Sequence, residues 1–99
     1  MLSPGVATYE IIAWKSIPAV IEARDERDTV THELSDRFQQ LIDSAAMQLG
    51  IHGSDAYLAL WSRSEPRERA GSAAEVAAAV AQEIEDRFPT YIGTAFRPA

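Results

Sequence analysis

The stretch "TYEIIAWKSIPAVIEARDERD", residues 8–28, constrains the fold more than any other part of the chain. Residues 8–16 are rich in β-branched and aromatic side chains, which suit a pleated, half-buried surface. Tyr9, Ile11 and Ala13 fall on one face, Ile12 and Trp14 on the other. Apolar groups on both faces predict a central strand, covered by helices on one side and partly covered on the other. "KSIPAV" is the expected turn. Pro18 cannot donate to a ladder, so it belongs at the start of the second strand or at a bulge. Ala19, Ile21 and Ala23 then alternate with Val20, Glu22 and Arg24, a second strand with one wetter face. "DERD" (25–28) is a solvated turn, and "TVTHEL" (29–34) a short third strand with Val30 and His32 on one side.

Helical periodicity follows. Ser35 is placed as an N-cap whose side-chain oxygen satisfies a first-turn amide. Phe38, Leu41, Ile42, Ala45 and Leu49 recur at helical spacing as one apolar stripe. Gly50 stands where a left-handed C-terminal cap is expected, with Ile51 closing it by an apolar contact. In "HGSDAYLALWSRSEP", Tyr57, Ala59 and Trp61 alternate with Leu58, Leu60 and Ser62, which predicts another buried strand. A short helix from Ser54 is the competing reading, because Ala and Leu are good helix formers. "SEPRERAGS" is a polar loop. "GSAAEVAAAVAQEIEDRFP" is a second helix, opened by a capping box of Ser72 and Glu75 and ended by Pro89. Its buried stripe is Val76, Ala79, Val80, Ile84 and Phe88, and its many alanines imply close approach to the sheet or to another helix. The tail "TYIGTAFRPA" has strand-like residues around Gly93 and is expected to pair along an edge, within the molecule or on another.

The order ββ(β)αβα predicts an α/β fold of the α+β type. It is a two-layer sandwich, with two helices on one face of a small three- or four-stranded mixed sheet. Residues 1–7 are expected as a flexible arm, 8–89 as a single domain and 90–99 as the tail. At 99 residues one modest core is all the chain can build, and a deep water-excluding cleft is hard to form. Cysteine is absent, which removes disulfides, thiolate metal sites and cysteine nucleophiles. With no leader-like start and no run near the roughly 18 apolar residues of a membrane span, the expected setting is the cytoplasm, without a membrane. A formal charge of −6 argues against nucleic acid, whose binding draws on clustered Lys and Arg.

No motif names a reaction. His32 and His52 lie far apart, and nothing resembles a metal-ligand spacing, so no metal or other cofactor is expected. Ser16, Ser35, Ser54 and Ser72 have turn or capping roles, and none sits in a nucleophile elbow. "EARDERD" and "EPRERA" interleave acids with arginines as solvated surface does. Trp14 and Trp61 are core residues in the plain reading. In the functional one, a sheet face left open by the helices presents an aromatic patch to a partner. That surface would draw on Trp14, Lys15, Tyr57 and Trp61, with Glu22, Arg24 and Arg63 as a polar rim.

Taken together, "ATYEIIAWKSIPAVIEARD", "ELSDRFQQLIDSAAM" and "GSDAYLALWSRSEPRERAGSAAEVAAAVAQEIEDRF" resemble the small bacterial "virulence factor" family over roughly residues 7–88. The likeness rests on the "YEIIAWKSIPA" start, the "IDSAAM" helix, the "DAYL" segment and the helix opening at "GSA". The family name describes a phenotype and no chemistry. The resemblance implies stand-alone small proteins, or modules joined to iron–sulfur-scaffold-like and helical-repeat domains, some accompanying folate- and corrinoid-dependent methyl transfer. It implies no catalytic residues. The leading expectation is a non-enzymatic interaction or accessory module with a protein partner. The alternatives are a ligand-binding or enzymatic role in one-carbon metabolism, with Trp61, Arg63, Glu65 and His32 around a pocket, and homodimerisation through an edge strand or the tail.

Overall fold

The alternation in residues 8–24 becomes a hairpin of two long strands, β1 (Val6–Trp14) and β2 (Ile17–Arg24). The computed structural model describes residues 5–51 and 53–96. The expected arm at residues 1–4, His52 and the last three residues of the tail lie outside them. β1 starts two residues earlier than expected, and Ala7 is already core. The hairpin register shifts between Ile12 and Ala13, opposite Ala19, so Pro18 stands beside a bulge where its missing amide costs no ladder bond. Lys15 in the turn has φ +61°.

The expected third strand is present as β3 (Thr29–Glu33), and it pairs with β2 after a turn closed by the Asp25 amide donating to the Asp28 carbonyl. The other edge of β1 carries two short strands, β4 (Trp61–Arg63) and β5 (Arg67–Ala70). They form one interrupted edge. Between the Ile12–Arg63 and Tyr9–Arg67 pairs, β1 has two residues where the edge has Ser64, Glu65 and Pro66. The Ser64 amide donates to the Ile11 carbonyl, and the Ile11 amide donates to Ser64 Oγ, both at 2.9 Å. The hydroxyl thus does a carbonyl's work across the bulge. The "SEPRERAGS" loop expected from its polarity is therefore in part an edge strand, and all described pairings are antiparallel where a mixed sheet was expected.

The helices also depart from the expected two. α1 (Asp36–Gln48) and α3 (Ala73–Asp86) are the predicted pair, packed on the sheet, joined by the short α2 (Ser54–Leu58) and by α4 (Phe88–Ala95). The competing helix from Ser54 is the observed one, so Tyr57 and Leu58 leave the expected strand. The tail is helical as far as Ala95, not an edge strand. Pro89 does stop α3, but at the first turn of α4 its fixed φ and absent amide suit a helix start. Tyr91 and Phe88 then meet Phe38 of α1 edge-to-face, at 5.9 and 4.9 Å between ring centres. The class is α+β, with five strands and four helices among the described residues.

The caps divide. Ser72 and Glu75 form the reciprocal box, Ser72 Oγ accepting from the Glu75 amide and Glu75 Oε1 from the Ser72 amide. Gly50 has φ +67°. The Ile51 amide reaches back to the Ala46 carbonyl and the Gly50 amide to that of Met47, a full Schellman closure. Ser35 stands at the N-cap, yet its side chain makes no cap bond. Its hydroxyl donates to Glu85 Oε1 at 2.8 Å, because a carboxylate on α3 competes better for it.

In α3 the buried alanines are Ala73, Ala77 and Ala81, beside Val76, Val80 and Ile84, while Ala79 is only half-buried and Phe88 belongs to α4. With no side chain beyond Cβ at these positions, the helix backbone lies close over β1, β2 and β3. Ala77→Leu is expected to lower stability by about 1–3 kcal/mol through overpacking, measured by urea unfolding. A neutral result would show that the helix stands further off than it does.

Three acids fasten α3, two to the sheet and one to the start of α1. Asp25 Oδ1 accepts from the Arg27 and Asp28 amides, and its Oδ2 accepts from the Ala73 amide at the start of α3 at 2.8 Å. The bond from Ala73, then those from Arg27 and Asp28, hold the Asp25 carboxyl below its ordinary value of 3.8. Glu83 is lowered by its bidentate pairing with Arg69 on β5. Partial burial opposes the charge of Glu85, but hydrogen bonds from Ser35 and Arg37 outweigh it and leave the carboxyl lowered. A depressed folded-state pKa contributes stability above the unfolded value and loses it as pH falls through the folded one. The thermal midpoint should therefore hold near neutrality and fall once the pH drops below about the 4.5 of an ordinary Glu. Asp25→Asn should lower the neutral midpoint and flatten part of that acid slope. An unchanged slope would remove Asp25 as a fastening.

Candidate interaction face

The register sorts every strand residue onto one of two faces. Val30–Ala23–Tyr9, His32–Ile21–Ile11 and Ala7–Arg69 run across the helix-covered side, where Arg69 pairs with Glu83 of α3. The opposite side carries Thr29–Arg24–Thr8–Glu68, Thr31–Glu22–Glu10 and Glu33–Val20–Ile12–Arg63. Most of these residues are exposed or half-exposed. This is the open face.

Glu10 and Glu22 are direct cross-strand neighbours, an arrangement that repels unless a cation intervenes. Arg63, reaching from β4, supplies it. Its Nη1 donates to Glu10 Oε1 at 2.7 Å and to Glu22 Oε1 at 2.8 Å, with Arg24 Nη1 a further 4.0 Å from Glu22. These bonds, Glu10's first, raise the Arg63 pKa. Glu10 is only 9% exposed, so the guanidinium neutralises a carboxylate the strand has drawn out of water. Arg63→Met should lower the thermal midpoint, and Glu10→Gln in the same chain should restore part of the loss. Additive losses in that double-mutant cycle would mean that the pair is not coupled.

The predicted site residues are thus redistributed. Trp14 is not on a surface. It is 0% exposed, and its Nε1 donates to the Tyr57 carbonyl at 2.9 Å. The aromatics do assemble, Tyr57 lying 5.4 Å from Trp14 and 6.2 Å from Trp61 between ring centres. That group packs on the core, with Tyr57 and Trp61 half-buried. Lys15 stays at the hairpin turn, half-buried, its amide bonded to the Leu60 carbonyl. Glu22, Arg24 and Arg63 are no rim. They occupy the open face itself, around an acid, Glu10, that the sequence reading passed over. One polar residue inside the apolar run "TYEIIAW" was the available signal.

The pocket of Trp61, Arg63, Glu65 and His32 does not form. His32 belongs to the helix-covered row and Arg63 to the open one, while Glu65 sits in the edge bulge. Among the described residues no group of three or more metal-ligating side chains converges, and no helix is long and apolar enough to cross a membrane.

A family model described as "Virulence factor" matches residues 12–91. No curated protein and no solved structure matches the chain.

Proposed function

The chain belongs to the virulence factor family, and we propose that within it this protein is a cytoplasmic accessory module, without chemistry of its own, that docks on a larger protein through the open face of its sheet. One observation carries this reading. The helices cover one side of the sheet, and the other is an open surface whose central charges already satisfy one another. Such a surface can be desolvated by a partner at lower cost than one of unpaired charges. Half-buried Ile12 and Val20 add apolar area beside it.

The test is affinity capture of the tagged protein from its own host's soluble lysate, with mass spectrometry of what co-elutes. Thr31→Arg places a bulky charge beside Glu22 on an exposed position of the open face, and Gln82→Arg does the same on the exposed side of α3. A near-stoichiometric partner lost with Thr31→Arg and retained with Gln82→Arg is expected. Recovery of nothing but the protein itself, or equal retention by both variants, would overturn the reading.

A further inference from the structure

Where β3 hands over to α1 a groove of about 300 Å3 opens at one end of the open face, with Val20, Glu33, Asp36, Phe38, Gln39 and Trp61 among its walls. Val20 and Glu33 are paired residues of that face, so the groove continues the surface already described. Its chemistry is lopsided. Two exposed carboxylates, Glu33 and Asp36, share its lining with half-buried Trp61, and none of the ion pairs described above reaches them. Arg37, next in sequence, is held by Glu85 through Nε and Nη2 at 3.1 and 2.9 Å, and Arg63 is held by Glu10 and Glu22. Asp36 lies in the first turn of α1.

We propose that the groove receives an arginine side chain from the protein partner, its guanidinium against Trp61 and hydrogen-bonded to Glu33 and Asp36. The planar fork of arginine suits two carboxylates beside a ring better than the point charge of lysine does. The fold already uses this combination nearby. The Arg37 guanidinium stands 4.4 Å from the centre of the Phe88 ring while bonded to the Glu85 carboxylate. A net charge of −6 also favours a basic segment in the approaching partner. The assignment rests on the interaction-module reading and gives the chemistry of its contact.

The experiment titrates the 15N-labelled full chain with the peptide acetyl-Gly-Arg-Gly-amide and, separately, with its lysine counterpart. The Trp61 indole and the Gln39 side-chain amide report on the groove, and the Trp14 indole, bonded inside the core, is the internal control. Saturable shifts confined to Trp61, Gln39 and residues 33–36 are expected from the arginine peptide. Glu33→Gln with Asp36→Asn, both isosteric changes at exposed positions, should weaken binding by about tenfold or more. Unsaturable shifts scattered over surface acids, undiminished binding by the double variant, or a lysine peptide that binds as well would each overturn the proposal. Lysate capture separates the two readings. A partner still lost with Thr31→Arg while the arginine peptide fails to bind would remove the groove assignment and keep the module. Peptide binding without any captured partner would remove the module.

Discussion

Trp14→Ala is expected to lower the free energy of unfolding by about 3–5 kcal/mol. Trp14 is 0% exposed at the end of the central strand. Its ring packs on Tyr57, and its Nε1 donates to the Tyr57 carbonyl. Truncation opens a cavity the size of an indole beneath a five-residue helix with no buried residue of its own and removes its bond to the sheet. For a small domain whose whole stability is about 5–15 kcal/mol, the change uses up much of the margin. Trp61→Ala is the contrast. That ring is half-buried, so it should cost clearly less. Urea unfolding followed by circular dichroism measures both. A Trp14→Ala loss of about 1 kcal/mol, or one no larger than that of Trp61→Ala, would refute this account of the core. Should Trp14→Ala not fold, Trp14→Phe keeps much of the volume and drops the donor, with an expected loss of about 1–3 kcal/mol from the unsatisfied carbonyl and residual cavity.

The same residue shows how far periodicity could be followed. Apolar side chains on both faces of residues 9–14 correctly marked a central strand, because a strand at an edge does not need them. They could not say which of the two faces would be roofed. Trp14 was open to both readings, and what decides is Tyr57 of α2, which packs on its ring and accepts its indole N–H. The helix of "GSAAEVAAAVAQEIED" and the Schellman closure at Gly50 were legible because each depends on residues within one turn. β5 was not. "RERA" carries charge at three of its four positions, and such a segment becomes a strand only because β1 offers an unsatisfied edge. The tail misled for the opposite reason. Its β-favouring Tyr91, Ile92 and Thr94 are helical because Phe38 offers Phe88 and Tyr91 a surface, and packing overrides propensity of this size.

The candidate site divided in a similar way. Arg24 and Arg63 were picked out with the open face, and both are there. They were expected as its rim and lie within it, because Arg63 finds its acids 41 and 53 residues away. Glu33 and Asp36 looked like the end of a strand and the start of a helix, which they are. Nothing in their spacing announces that Trp61, distant in sequence, completes a wall beside them.

Phe38→Ala should be as costly as Trp14→Ala in free energy, about 3–5 kcal/mol, but should act on a different part of the molecule. Phe38 is 1% exposed on the buried stripe of α1, and its ring is met edge-to-face by Phe88 and Tyr91 of α4. Within α4 only Ala95 is fully buried, so the aromatic contacts hold most of that helix down. An eight-residue helix is too short to persist in water without such docking. Removing Phe38 should therefore release α4 before the sheet unfolds. Hydrogen exchange of residues 90–95 should accelerate toward the undocked rate while β1 and β2 keep their protection. Tyr91→Ala should also loosen α4 but leave the global transition nearly in place, because α1 keeps its contacts with β2. Uniform loss of protection in Phe38→Ala would show that α4 and the sheet form one cooperative unit. Unchanged exchange in α4 would show that the three rings are neighbours without being its anchor.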